Sequence, residues 1–291
     1  MEIKKLISQT NLATTEAELI LAHVIKKSRE FILAHPEKNI NKIQIKKYNQ
    51  LINKRLKNIP LAYLTGYKEF FGLNFLVNKN VLIPRPDTEI IIEKVLQEIK
   101  KNKNQKIILI DIGTGTGCIP ISIIKTLKQL SNIPANKLNQ IEKNITTLAI
   151  DISKKALALA QKNAQKHQVK INFLHGNLLK PITKSKIFKQ KSKIIITANL
   201  PYLTLKQIKQ EPSIQHEPKL ALLAGNDGLK YYRQLFKQLQ KKLFFTSYSL
   251  FIEIDPSQTT LIKKLIKKYF PKAKITIYQD LTKKNRIIKI I

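Results

Sequence analysis

Through the first 58 residues, apolar side chains recur three and four positions apart, the spacing of helices that bury one face. Thr15-Glu16-Ala17-Glu18 has the spacing of a capping box, and Leu19, Leu21, Ala22 and Ile25 follow it as an apolar face. Ser28 opens a short helix through Phe31-Ile32-Leu33 that Pro36 stops. Asn41 to Lys57 carries Ile43, Ile45, Tyr48, Leu51, Ile52 and Leu56 at helical spacing. The texture changes at Pro60. Between Tyr63 and Val77 the pattern predicts two short strands about Gly72, a hairpin, and Asp87 is placed to cap a helix running to Ile99.

The remainder alternates strand and helix. Strands are expected at Ile107–Ile110, up to Asp151, at Val169–Leu174, Ile194–Ala198 and Leu250–Ile254, and near Ile275 and Ile287. Helices are expected at Ile119–Leu130, Lys154–His167, Leu229–Leu243 and Thr260–Tyr269. Such alternation predicts an α/β fold with a mostly parallel, doubly wound sheet, whose ligands bind beyond the carboxyl ends of the strands. The Lys/Asn-rich stretches 131–146 and 182–193 fall between elements as surface insertions. The expected division is 1–58 helical domain, 59–86 hairpin linker and 87–291 α/β domain.

Composition narrows the classes. With 43% hydrophobic residues in 291, the chain can bury a sizeable core, and its single Cys excludes an internal disulfide. No apolar run approaches the roughly 20 residues that span a bilayer, and MEIKKLISQT lacks a secretory apolar segment. A soluble, reduced, cytoplasmic protein without membrane contact or metal is expected. The formal charge is +34, yet only five of the 53 basic residues are Arg (Arg29, Arg55, Arg85, Arg233, Arg286). Lys spread among Ile and Asn is what AT-rich codons produce, so a generally basic surface is expected rather than a dedicated nucleic-acid face. It would still attract RNA or an acidic protein by long-range steering.

Chemistry concentrates in two places. Asp111-Ile112-Gly113-Thr114-Gly115-Thr116-Gly117-Cys118 leaves a strand and opens a helix, so a ligand can lie against its backbone. No Gly-Lys-Ser/Thr follows, which excludes a P-loop. A bare turn and a dinucleotide site remain open, although Cys118 stands at the third Gly position of the latter. Asp111 before the turn, with Asp151 ending the next strand, suits S-adenosylmethionine: one carboxylate for its cationic end, the other for both ribose hydroxyls. Thr197-Ala198-Asn199-Leu200-Pro201-Tyr202 reaches the same sheet edge. It is similar to the (N/D)PPY signature of methyltransferases that modify planar nitrogens. There the Asn oxygen and a following carbonyl accept the two N–H bonds and stabilise charge developing on nitrogen.

The chain resembles the HemK/PrmC-type release factor glutamine methyltransferases. The likeness lies in Pro60-Leu61-Ala62-Tyr63-Leu64-Thr65-Gly66, in Gly72-Leu73 with Val77-Asn78, and in Val81-Leu82-Ile83-Pro84-Arg85-Pro86-Asp87-Thr88-Glu89. It continues through both motifs above, Glu217-Pro218 with Ala221-Leu222, and Asp227-Gly228-Leu229 with Tyr232-Arg233. Leu200 stands for the usual first Pro, Asn177-Leu178 for an acidic–aromatic pair, Asp255 for Gly, and Asn285 for Asp before Arg286. The resemblance implies a class I S-adenosylmethionine-dependent methyltransferase: a Rossmann-like, seven-stranded doubly wound sheet with an N-terminal substrate-recognition bundle. Cofactor contacts are then expected from Asp111, Gly113, Thr114, Gly115, Thr116, Gly117, Asp151, Leu178 and Asn199. Asn199, Pro201 and Tyr202 are the expected catalytic residues and, with Leu200, the substrate-binding ones. The substrate implied is the Gln of the Gly-Gly-Gln motif in class I peptide chain release factors, modified by a monomer with no obligate nucleic acid.

Three rivals are distinguishable. A sister family methylates a ribosomal-protein glutamine but generally lacks the Pro-Arg-Pro-Asp-Thr-Glu run. An adenine-N6 nucleic-acid methyltransferase suits the charge, although no separate target-recognition domain is evident. A basic RNA-binding module with a decayed site predicts no S-adenosylmethionine binding.

Overall fold

The computed structural model of the chain describes residues 1–130, 144–183, 185, 191–241 and 248–291. They form two compact units: Met1–Tyr67 with Glu211–His216, and Lys68–Gln210 with Glu217–Ile291.

The first unit contains α1 (Ile3–Ser8), α2 (Thr14–Ile25), α3 (Arg29–Ala34), α4 (Lys42–Leu56) and α5 (Leu61–Thr65). Ile3, Ile20, Leu21, Ile32, Tyr48 and Ile52 meet in its core. Asn41 and Gln44 cap α4 reciprocally, each side chain accepting from the other's backbone N–H at 2.9 and 3.3 Å. The cap expected at Thr15 does not form, and α2 begins after Ala13 without a side-chain cap. Its carboxylates have stronger partners: Arg55 donates to Glu16 at 2.9–3.1 Å, and Arg29 to Glu18 at 2.8 Å. A helix, α5, also occupies Tyr63–Thr65 where a strand was expected. Gly66, at φ +81°, ends it.

The second unit opens within the hairpin of β1 (Tyr67–Phe70), from Lys68 on, and β2 (Leu73–Leu76). Its two-residue turn, Phe71-Gly72, has φ +51° and +67°, the primed geometry that matches strand twist. Phe rarely adopts that conformation, and Glu89 holds it by accepting the Phe71 N–H at 2.8 Å. Asp87 is not the cap of α6 (Glu89–Lys101). It lies in a single turn at Pro86–Thr88, and its carboxylate pairs with Arg286 at 2.9 Å. The following elements are β3 (Ile107–Ile112), α7 (Cys118–Leu130), β4 (Ile145–Asp151), α8 (Lys154–Lys166), β5 (Asn172–His175) and β6 (Lys193–Ala198). The chain finishes with α9 (Leu205–Gln210), α10 (Lys230–Gln240), β7 (Tyr248–Glu253), α11 (Thr259–Tyr269), β8 (Ile275–Gln279) and β9 (Asn285–Ile290). The third strand starts later than expected because Val169 packs as a core residue after α8. The expected insertion at 131–146 and the end of the helix expected to reach Leu243 fall largely outside the described residues, as does much of 182–193.

The seven strands are ordered β5-β4-β3-β6-β7-β9-β8. β3 to β7 are parallel, and β9 inserts antiparallel between β7 and β8. Continuous apolar runs such as Ile107–Ile110 reflect burial on both faces. Ile108, Ile110, Ile194 and Ile196 face Tyr232, Phe236, Ile262 and Ile266 of α10 and α11. Leu109, Ile195 and Phe251 face Ile91, Val95, Ile121 and Ile124 of α6 and α7. No helix among the described residues is long and apolar enough to cross a membrane.

At the amino ends of β6 and β7 lies a buried ionic cluster. Glu98 of α6 accepts from Lys289 at 2.7 Å, Ser249 at 2.8 Å and Lys193 at 3.2 Å. Burial opposes ionisation of Glu98, but these donors win and hold its pKa down to about 2. Glu98→Ala leaves two buried ammonium groups without this counter-charge and should destabilise the unit by about 3–5 kcal/mol in urea unfolding. For a depressed carboxyl the stabilisation is complete above the ordinary value of 4.5 and is lost as pH falls through about 2. Wild-type stability should therefore decline over that interval, and the Glu98→Ala curve should be flatter there.

Candidate active site

The strand order reverses at β3, where the loops after β3 and β6 part. Chain leaving β3 turns at Gly113–Gly117. Gly113 and Thr114 donate backbone N–H groups to the Ile150 carbonyl at 2.8 and 3.0 Å, stitching the turn to β4. At Gly113 φ is +72°, and an added Cβ would press on Leu200 Cδ2 at 3.1 Å. The turn can therefore lie directly on the loop that follows β6. Asp151 closes β4 and accepts from Gly115 N at 2.9 Å and Ser153 N at 2.8 Å. Burial raises its pKa in spite of those bonds.

A cavity of about 260 Å³ occupies the crevice. Of the residues expected at the site, Gly113, Thr114, Gly115, Thr116, Asp151, Leu178, Asn199, Leu200 and Pro201 share its wall. Three do not. Asp111 is 1% exposed beneath the turn, with Thr197 Oγ1 donating to it at 2.6 Å. Burial pushes its pKa up to about 6 against the Thr197 hydrogen bond, and the Asp151 charge adds to the rise. Gly117 faces the packed side of the turn, where an added Cβ would meet Ile121 at 2.9 Å and Ala160 at 3.3 Å. Tyr202 sends its hydroxyl to Glu253 Oε1 at 3.2 Å, and Gln258 Nε2 donates to its carbonyl at 2.7 Å. Cys118 touches the cavity, but burial pushes its thiol up to about 12, so it stays protonated at neutral pH.

Asn199 follows β6. Its Nδ2 donates to Thr88 Oγ1 at 3.1 Å, and Thr88 in turn donates to Glu253 Oε2 at 2.6 Å. Among the described residues no donor reaches Asn199 Oδ1, and Asn199 lines the cavity. Glu253 is 1% exposed, and burial raises its pKa to about 7, the Thr88 and Tyr202 hydrogen bonds and Arg286 opposing.

Sequence reasoning assigned no role to Thr88, Glu253, Glu217 or Asn163. Glu217, buried, accepts from Ile83 N at 3.0 Å and from Arg85, which fixes the Val81–Arg85 wall of the cavity. Asn163, fully buried on α8, donates to the carbonyls of Leu76 and Thr116 at 3.1 and 2.9 Å and accepts from Leu76 N at 2.8 Å. It ties the hairpin to the glycine turn. The available signal was a carboxylate ending an apolar strand at Glu253, and a polar residue among the small apolar positions of α8 at Asn163.

The site and both units have counterparts elsewhere. Residues 2–66 match the PrmC N-terminal domain family, and residues 103–286 a methyltransferase domain family. A release factor glutamine methyltransferase of Bacillus cereus is 33% identical over 274 residues, covering 93% of this chain and 90% of that protein. One of Borreliella burgdorferi is 37% identical over 282 residues, covering 96% and 89%. A bifunctional methyltransferase of Rickettsia bellii is 33% identical over 94% of this chain and 50% of its own length. The fold of the hMettl16 catalytic domain, solved in complex with MAT2A 3'UTR hairpin 6, superposes with a TM-score of 0.54 at 17% identity, covering 93% and 91%. That architecture is the class I methyltransferase fold, and with identity of this order running the length of the sequence, the chain belongs to the release factor glutamine methyltransferase family.

Proposed function

We propose that the protein transfers the methyl group of S-adenosylmethionine to the side-chain amide nitrogen (N5) of the glutamine in the Gly-Gly-Gln motif of class I peptide chain release factors. The observation that carries this reading is the acceptor oxygen of Asn199, without a donor among the described residues, in the same cavity as the Gly113–Thr116 backbone and Asp151.

The residues present suit that cofactor. The Gly113 backbone is exposed and a Cβ at Gly115 would enter the open space beside the turn, so a ligand can lie against this backbone, and Asp151 is a carboxylate at the cavity wall with lone pairs left for ribose hydroxyls. Ile152 and Leu178 give apolar contact beside it. When bound, S-adenosylmethionine supplies a methyl group on a positively charged sulfur.

The chain's own part is to prepare the nitrogen. An amide lone pair is delocalised, so the nitrogen is a poor nucleophile. Asn199 Oδ1 accepts one amide N–H and a following backbone carbonyl the other, which orients the nitrogen and stabilises the positive charge that grows on it. Pro201 shapes the loop carrying that carbonyl, and the alkylated nitrogen is acidic enough to lose its proton to water. Tyr202 acts at one remove, through Glu253. The first unit selects the substrate, because a glutamine in a flexible loop offers too little surface by itself. This reading puts a monomer in the cytoplasm, with release factors as partners and no obligate nucleic acid.

Three measurements check it. Asp151→Ala should weaken S-adenosylmethionine binding by about 1.5–3 kcal/mol in calorimetric titration, the range for hydrogen bonds to a charged group. Asn199→Ala should lower the methylation rate about 10²–10³-fold, as for a lost oxyanion-hole donor, with labelled cofactor and mass mapping on purified release factor as the assay. Label appearing in RNA or a ribosomal protein instead would redirect the substrate. Leu33 and Ile43 are the most exposed large apolar side chains of the first unit, at 55% and 82%. Replacing both with Glu should raise KM for intact release factor while leaving turnover of a Gly-Gly-Gln peptide unchanged.

A further inference from the structure

We propose that Thr88 and Glu253 are positioning residues that set which way round the Asn199 amide stands. An Asn side chain is nearly symmetric in shape, and its two ends differ only in hydrogen-bond sense. Turned one way it offers the cavity an acceptor; turned the other, it offers a donor that would repel an amide N–H. Packing cannot choose between them. A chain of hydrogen bonds ending on a group of fixed sense can.

The buried carboxylate of Glu253 is such a group, since an ionised carboxylate only accepts. Thr88, 2% exposed, must spend its single proton on Glu253 Oε2, at 2.6 Å. Its oxygen is then left to accept, and the partner it faces, 3.1 Å away, is Asn199 Nδ2. The NH2 end is thereby fixed toward Thr88 and Oδ1 toward the cavity. Tyr202 occupies Oε1 of the same carboxylate, and Tyr232 donates to the Glu253 backbone carbonyl, so the anchor is held from two further elements. The charged groups that act on Glu253 are Arg286 of β9, which favours the carboxylate, and Asp87 before α6, which opposes it; the two pair at 2.9 Å. Protonation would reverse the sense of the chain. A neutral Glu253 can donate to Thr88, which frees the Thr88 proton for Asn199 and allows the amide to turn over.

The inference rests on the proposed transfer to an amide, and the test separates the two. Thr88→Val keeps shape and removes the hydroxyl, and Thr88→Ser restores it. With release factor as substrate, Thr88→Val should lower kcat about 10–100-fold, the scale of a misplaced reacting group, with S-adenosylmethionine affinity unchanged and the protein still folded, its unfolding midpoint lowered by the loss of two buried hydrogen bonds. Thr88→Ser should recover most of the rate. The wild-type rate should rise with pH through about 7, where Glu253 ionises, and that limb should vanish in Thr88→Val. With Asn selectively labelled with ¹⁵N, the Asn199 side-chain NH2 signal, identified by its loss in Asn199→Ala, should titrate over the same interval in wild type and not in Thr88→Val. A Thr88→Val rate within about twofold of wild type, a retained pH limb, or an Asn199 signal that does not titrate in wild type would overturn the inference. Wild-type enzyme that leaves release factor unmethylated would instead refute the proposed function, and the NMR titration would still judge the relay.

Discussion

Ile112, the last residue of β3, stands beside Ile150 of β4 on one side and Ala198 of β6 on the other. That three-way register is the constraint on which the rest of the site depends. It brings the glycine turn, Asp151 and Asn199 to the same height, because each begins one residue beyond a paired position. Side chains alternate along a strand, so a slip of one residue would turn every core isoleucine of that strand to the opposite face. The two hydrophobic layers therefore fix where the polar residues emerge. The site is positioned by burial of apolar surface well away from it.

What could be read in the sequence follows the same division. The apolar runs of β3 and β6, the glycine turn, and Asn199 with its neighbours are contiguous, so each declares itself locally. Thr88, Glu253 and Asn199 are separated by more than a hundred residues in part, and only the fold makes them a chain. Asp111 was legible as a residue but not as a location. β3 and β6 are buried on both faces, so Asp111 and Thr197 are buried together, and Thr197 donates to Asp111 Oδ1 while Oδ2 has no partner among the described residues. At Thr15 and Asp87 the local capping signal gave way to ion pairs, Glu18 with Arg29 and Asp87 with Arg286, that no spacing within the cap sequence declares.

Three of the departures from the family pattern are absorbed by packing. Leu200 gives up the stiffness of a proline ring, but its side chain is buried in the core and its Cδ2 lies directly under Gly113. Asp255, where glycine is usual, accepts from Ser257 N at 2.9 Å and caps the turn that leads into α11. Asn285 meets Thr259 at 3.3 Å, while Arg286 keeps two acidic partners, Asp87 and Asp280, at 2.9 Å each. The fourth departure, Asn177-Leu178, is the one that lies on the cavity wall, where a neutral amide and an aliphatic side chain stand for the acidic–aromatic pair.

Gly113 presses on Leu200, and at Gly228 the approach is tighter still: a Cβ there would fall 2.1 Å from the Tyr202 carbonyl oxygen and 2.0 Å from Gln258 Nε2. All eight glycines of the chain have positive φ. For a sequence crowded with Lys, Ile and Asn, this means that glycine survives where the backbone itself requires it. Mutational tolerance should accordingly be divided unevenly, with broad freedom along the lysine-bearing surface and least at Gly176 and Gly228, where an added Cβ would fall 2.4 and 2.0 Å from its nearest neighbour.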